Sequence, residues 1–128
     1  MTRAPGHTYT FTAPSLDGVV ADAIAFIVVA GDAPAADHTT TLVVSGEGES
    51  PGDAMRHALD DIRSQCVDQR CTPVDVTIDG VMATDAGTRV WGTLFCTPGM
   101  TAALPPTEIL DIDIVRKEMQ WELTVTRR

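Results

Sequence analysis

A chain of 128 residues, 44% of them hydrophobic, is long enough to bury the core of one compact domain. Its 18 acidic residues outnumber nine basic ones, and the net charge of −9 argues against nucleic acid and anionic membrane surfaces as partners. An odd number of cysteines, three, fits a reducing compartment better than a disulfide framework. With neither a secretory leader nor an apolar run of membrane-spanning length, we expect a cytoplasmic protein.

The N-terminal third begins with a loose tail over residues 1–7 and a predicted strand over 8–12, where polar and aromatic residues alternate. Residues 19–29 fit two structures. Their apolar residues fall on one helical face, but the run 24–29 is rich in β-branched and aromatic residues, which is typical of a buried strand. We predict a strand here, followed by a connection that starts with the turn-forming residues 31–34.

The most informative stretch follows. The β-branched residues 40–44 predict a strand, and a glycine-rich loop occupies 46–54. Ser50 is suited to cap a helix, and Pro51 to be its first residue. Because apolar residues then recur at helical spacing, we predict a helix over about 51–66. The unit is therefore a strand, a glycine-rich turn and a capped helix.

This glycine-rich turn is a candidate binding site for a small amino acid or organic acid. Glycine lets a ligand approach the backbone closely, and the N–H groups at a helix N-terminus attract a carboxylate. The predicted ligand-binding residues are Gly46, Gly48, Ser50, Pro51 and Ala54. The plainer interpretation is a connection whose glycines serve geometry alone. Glu47 and Glu49 also oppose an anionic ligand, unless they point away or hold its ammonium group.

The same pattern, Gly-Glu-Gly, two polar residues, Pro, then Asp-Ala and later Ala-Leu, resembles the C-terminal regulatory domain of 2-isopropylmalate synthase and citramalate synthase. The Trp-Gly pair within residues 89–93 is a second, weaker similarity. The resemblance covers about 20–66 and, loosely, 73–96. It implies a domain that dimerises and binds a feedback amino acid. The catalytic barrel of those synthases is absent and the family's last helix is not visible, so the resemblance implies a stand-alone, non-catalytic module.

The C-terminal half is predicted to form strands. Alternating apolar and polar residues predict strands over 74–80 and 89–96, joined by a turn. Residues 108–115 and 121–126 alternate again and predict a hairpin that turns at 116–118. We therefore expect a single α+β domain, a mostly antiparallel sheet with one main helix packed on one face.

Cysteines and histidines give no pattern of a catalytic or metal site. The Cys66-x₄-Cys71 spacing is not that of a usual zinc site, and no second pair follows it. A disulfide between these two residues is possible if the chain is oxidised. His57, near the glycines, is most simply a helix-surface residue. We expect no catalytic residue, no metal and no cofactor, and a small enzyme that uses His57 or a cysteine has the least support.

A structural or assembly protein is the alternative function. Its terminal strands would pair with other copies or with a partner chain through exposed sheet edges. Four of the nine basic residues lie in 116–128, so this end could meet the acidic body of another copy. Under either hypothesis, the ligand-binding module or the assembly protein, we expect a homodimer or a larger homo-oligomer.

Overall fold

The computed structural model describes residues 8–28, 40–99 and 110–127, which form six strands and two helices. The strands are β1 (Thr8–Ala13), β2 (Thr40–Gly48), β3 (Cys71–Thr84), β4 (Gly87–Pro98), β5 (Leu110–Lys117) and β6 (Gln120–Arg127); the helices are α1 (Leu16–Val28) and α2 (Pro51–Gln69). The predicted α+β class with mostly antiparallel sheet is confirmed. The predicted tail at 1–7 and the connection at 31–34 lie outside the described residues.

The strands are divided between two antiparallel sheets of three strands each. The terminal sheet has the order β1-β6-β5, and the central sheet has the order β2-β4-β3. Because β4 pairs antiparallel with both of its neighbours, β2 and β3 run parallel to each other, with α2 as the connection between them. The central sheet is therefore a split β-α-β unit.

The prediction of a strand over residues 19–29 is wrong, because these residues, as far as the structure describes them, lie in helix α1. The hydroxyl of Ser15 accepts a hydrogen bond from the N–H of Gly18 at 3.1 Å and caps the helix. The apolar residues at helical spacing are the ones that become buried: Val19, Val20, Ala23, Ile24, Ile27 and Val28. Burial of this face outweighs the β-propensity of valine and isoleucine.

One hydrophobic core joins both sheets. Helix α1 contacts β3 of the central sheet and both β1 and β6 of the terminal sheet, while α2 contacts β2 and β4 on one side and β5 on the other. The bulkiest fully buried side chains are Ile24, Met55, Ile62, Leu94 and Leu123, contributed by both helices and both sheets. Burying each of them stabilises the fold by about 2 kcal/mol. No helix in the described ranges is long and apolar enough to cross a membrane.

Helix α2 begins where the sequence predicts. Ser50 is extended, and its hydroxyl accepts a hydrogen bond from the N–H of Asp53 at 3.2 Å, while Pro51 is the first helical residue. The helix continues to Gln69 instead of ending near 66. It ends at Arg70, whose φ of 50° and ψ of 53° place it in the left-handed region.

The glycine-rich segment is mostly strand, which corrects the predicted turn. Strand β2 continues through Gly48 and stays paired with β4 to its last residue, opposite Thr88. Only Glu49 and Ser50 separate β2 from α2. The two predicted hairpins are also present, β3–β4 with a turn at 85–86 and β5–β6 with a turn at 118–119. The second turn was predicted at 116–118 and lies later, because β5 continues through Lys117.

Candidate functional site

Helix α2 packs directly on the backbone of β2 at the two glycines of the Gly-Glu-Gly motif. A Cβ atom on Gly46 would overlap the backbone N of Ala58 and the backbone O of Ala54. A Cβ atom on Gly48 would lie 2.5 Å from the Cβ of Asp53. Both separations are too short for a real side chain, so glycine is required for the helix to approach the strand this closely.

The N-terminus of α2 has few N–H groups left for a ligand. Pro51 has none, and the N–H of Asp53 is bonded to the Ser50 hydroxyl. The N–H of Ala54 donates to the carbonyl of Ser50 at 2.9 Å. Within this first turn only the N–H of Gly52 remains to meet an external acceptor.

A groove of about 590 Å³ lies beside this contact, between the end of β2 and the β3–β4 hairpin. It is lined by Glu47, Gly48, Glu49, Met82, Thr84, Ala86, Gly87, Thr88 and Arg89, which we call the charged groove. Its volume is in the range of small-molecule sites. Two of its lining residues meet through their backbones, because Gly87, with a φ of 136°, lies against the carbonyl of Gly48.

Opposite charges face each other in the charged groove. Glu47 and Arg89 are directly opposite in the pairing of β2 with β4, and their Oε1 and Nε atoms are 3.7 Å apart. The side chains are 76% and 58% exposed, so the pair itself contributes little stability. The guanidinium of Arg89 also lies over the ring of Trp91, 5.6 Å from its centroid. The lining of the charged groove therefore contains one cationic side chain, Arg89, and two carboxylates, Glu47 and Glu49.

Of the five predicted ligand-binding residues, Gly48 lines the charged groove. Gly46, Ser50, Pro51 and Ala54 lie instead where α2 begins and packs on β2. The sequence prediction missed Arg89 and the hairpin residues of the groove. No local pattern could have found them, because Glu47 and Arg89 meet only through the register in which β2 pairs with β4.

Three side chains of α2 cover the edge of β2 that pairs with no strand among the described residues. His57, Asp61 and Gln65 are spaced four residues apart, and we call them the edge stripe. Asp61 Oδ2 accepts from the N–H of Ser45 at 2.9 Å, and Gln65 Nε2 donates to the carbonyl of Val43 at 2.8 Å. Nδ1 of His57 is bonded to the carbonyl of Glu47 and must therefore carry the proton. The edge stripe occupies backbone groups that another strand would otherwise pair with.

The three cysteines come together, although Cys96 is distant from the other two in sequence. Cys66 of α2, Cys71 of β3 and Cys96 of β4, the thiol cluster, are all buried and free of disulfides. Burial, together with the neighbouring Cys71 thiol, raises the pKa of Cys66 and that of Cys96 to about 12. No group of three or more histidine, cysteine or carboxylate side chains is arranged to hold a metal in the part of the chain that the structure describes.

Comparison with known proteins adds no relative, because no family model and no curated protein sequence matches the chain.

Proposed function

We propose that this chain is a non-catalytic module that binds a small amino acid in the charged groove. Two independent considerations support the proposal. One is the resemblance of the Gly-Glu-Gly-x-x-Pro-x-Asp-Ala segment to the regulatory domain of 2-isopropylmalate and citramalate synthases. The other is the charge arrangement of the groove, and this observation carries the proposal.

The charge arrangement fits a zwitterion. The guanidinium of Arg89 would bind the ligand carboxylate, for which its planar set of donors is well suited. The carboxylates of Glu47 and Glu49 would hold the ammonium group. Since the existing pair of Glu47 with Arg89 is exposed and weak, a ligand can displace it at small cost.

The same charges select against other ligands. Two glutamates beside one arginine repel a dicarboxylic acid, so an amino acid fits the groove better than an organic diacid. Met82, which is 54% exposed, and Ala86 offer apolar surface to an aliphatic side chain. The preferred ligand is therefore a neutral aliphatic amino acid.

The predicted site residues then have two roles. Gly48 contributes backbone to the wall of the groove. Gly46, Ser50, Pro51 and Ala54 shape the site indirectly, because they fix the start of α2 on β2. A bulky residue at Gly48 would disrupt that packing, so it would not separate loss of binding from loss of folding.

Assembly through sheet edges is the second candidate, and the topology gives it a location. Strands β1 and β5 are the outer strands of the terminal sheet. At the tip of the β5–β6 hairpin Met119 is 89% exposed, and Val115 of β5 is partly exposed. The edge strand β2 is less suited, since the edge stripe covers it. A homodimer formed through β1 or β5 would leave the charged groove open, so the two functions can coexist.

Thermal unfolding in the presence of each common amino acid, and of succinate as a diacid, tests the proposal. A ligand at about 100 times its dissociation constant adds roughly 2.7 kcal/mol, which raises Tm by several degrees. Arg89→Gln should reduce this shift, because a charge-assisted hydrogen bond contributes about 1.5–3 kcal/mol. Arg116→Gln is the matched control, since Arg116 also lies over a tryptophan, 5.9 Å from the ring of Trp121, but in the terminal sheet.

The two candidates give different outcomes. A shift with aliphatic amino acids that Arg89→Gln removes and Arg116→Gln retains supports the binding module. Absence of any shift, together with a concentration-dependent increase in mass, contradicts it and favours assembly. A shift that is equal in both variants would place binding outside the charged groove.

A further inference from the structure

We propose that Cys66 and Cys71 are a disulfide-forming pair, which under oxidising conditions covalently joins the end of α2 to the start of β3. The thiol cluster lies on the face of the central sheet that α2 covers, and its chemistry does not depend on the charged groove. The disulfide makes two buried thiols a modification site.

The way in which α2 ends brings the two side chains together. The N–H of Arg70 donates to the carbonyl of Cys66, and Arg70 is left-handed. At this type of helix ending the chain reverses direction and runs back alongside the last turn of the helix. At such an ending the residue after the left-handed position, here Cys71, commonly packs on the last turn, and the Cys71 thiol lies within hydrogen-bonding reach of the Cys66 thiol. The contact is usually an apolar one between two side chains, but in this chain both of them are thiols.

Cys71 also lies within hydrogen-bonding reach of Cys96, so the structure offers two pairings. The sheet register decides between them. Cys71 is opposite Pro98 and Cys96 is opposite Pro73, which makes Cys71 and Cys96 diagonal neighbours on β3 and β4. Diagonal neighbours have Cα atoms about 7–8 Å apart, beyond the roughly 4.4–6.8 Å that disulfides span. The pairing at the helix end is therefore favoured.

The chemistry balances with hydrogen peroxide as the oxidant. The sulfur of one thiolate attacks a peroxide oxygen, the O–O bond breaks, and a sulfenic acid and water form. The second thiol then attacks the sulfenic sulfur, an S–S bond forms, and a second water leaves. In total, the two thiols lose two protons and two electrons, and these reduce one hydrogen peroxide molecule to two water molecules. Because both thiols are buried, the attack on peroxide is slow. It accelerates as pH rises, because the thiolate is the reactive form.

The sequence makes the pairing easy to map. Trypsin cleaves after Arg63, Arg70, Arg89 and Arg116, so Cys66, Cys71 and Cys96 fall on three different peptides, 64–70, 71–89 and 90–116. The purified full chain is treated with peroxide, denatured, alkylated and digested without reduction. We expect peptide 64–70 to be linked to 71–89 and Cys96 to be alkylated. A link between 71–89 and 90–116, a covalent dimer, or three alkylated cysteines after treatment would overturn the proposal.

Matched variants provide a second test. Cys96→Ser should keep the link between the other two cysteines, while Cys66→Ser should lose it and leave Cys71 alkylated. Intact mass should show the loss of two hydrogens in the wild type and in Cys96→Ser only. If Cys66→Ser does not fold, the wild-type peptide map still decides the pairing.

Discussion

The side chain of Asp61 holds the edge of the central sheet, since its Oδ2 atom accepts the N–H of Ser45 at 2.9 Å. The same oxygen accepts from Nε2 of Gln65 at 3.2 Å, and Gln65 in turn donates to the carbonyl of Val43. An acid in the middle of α2 thereby takes the place of a neighbouring strand at the edge of β2 where no described strand pairs. The helix packs on the sheet and closes its edge at the same time.

We predict that Asp61→Ala destabilises the protein by about 1–3 kcal/mol, because it leaves the part-buried N–H of Ser45 without its acceptor. Urea-induced unfolding measures the change. Asp61→Asn keeps an oxygen acceptor and should recover most of the loss. Asp68→Ala removes the same charge from an exposed position on α2 and is the control. Equal losses for Asp61→Ala and Asp68→Ala would show that charge, and not the hydrogen bond, is responsible.

A second prediction concerns the close contact of α2 with β2. Gly46→Ala should destabilise the fold by about 3 kcal/mol or more, because the new Cβ would overlap the backbone of α2, which cannot rotate away. Gly52→Ala is the milder comparison, because its Cβ would lie 3.2 Å from the carbonyl of Ile112, a tight contact that a shift of a few tenths of an ångström relieves, and alanine favours a helix. Circular dichroism during thermal unfolding should show a large fall in Tm for Gly46→Ala only. Similar Tm values in both variants would contradict the packing role.

Local signals made part of this fold predictable. Ser50 and Pro51 mark the start of α2 because capping depends on residues that are adjacent in sequence. The β5–β6 hairpin was predictable for a similar reason, since apolar and polar residues alternate along both of its strands, although less regularly in β5, where Ile114 and Val115 are adjacent. The α1 region was mispredicted, since valine, isoleucine and phenylalanine suit a buried helix and a buried strand equally well. Packing against both sheets decides between the helix and the strand for these residues.

The charged groove depends on pairing between distant strands. Glu47 and Arg89 meet because β2 pairs with β4 in one register, and a shift by one residue would turn the arginine to the other face. The role of Gly46 depends on where α2 crosses β2, and no local sequence pattern predicts that position. The thiol cluster depends on the split β-α-β topology. These features are properties of the tertiary structure, so the sequence alone indicated the motif but not the groove.

If the disulfide between Cys66 and Cys71 forms, it should stabilise the chain. The closed loop is short, so we expect a gain of about 2 kcal/mol and a rise in Tm of several degrees. Scanning calorimetry of the oxidised and the reduced protein measures the difference, with Cys66→Ser treated identically as the control. A lower Tm after oxidation would mean that the bond strains the end of α2.

The stability of the reduced protein should fall at alkaline pH. Burial, with the Cys71 thiol nearby, raises the pKa of Cys66 and Cys96 from 9.0 to about 12. Between these values the unfolded chain has released protons that the folded chain still binds, so the free energy of unfolding decreases as pH rises from about 9 to about 12. Below about pH 9 these thiols are protonated in both states and contribute no pH dependence.

Urea unfolding in the presence of a reductant, at about pH 7.5 and about pH 10.5, measures this decrease. The double variant with Cys66→Ser and Cys96→Ser is the control, because it differs from the wild type only at these two buried thiols. We expect the wild type to lose more stability than the variant over this interval, since only the wild type buries thiols that must ionise on unfolding. Equal losses would show that the thiols of the folded protein ionise near pH 9, and the thiol cluster would then have to be accessible to solvent.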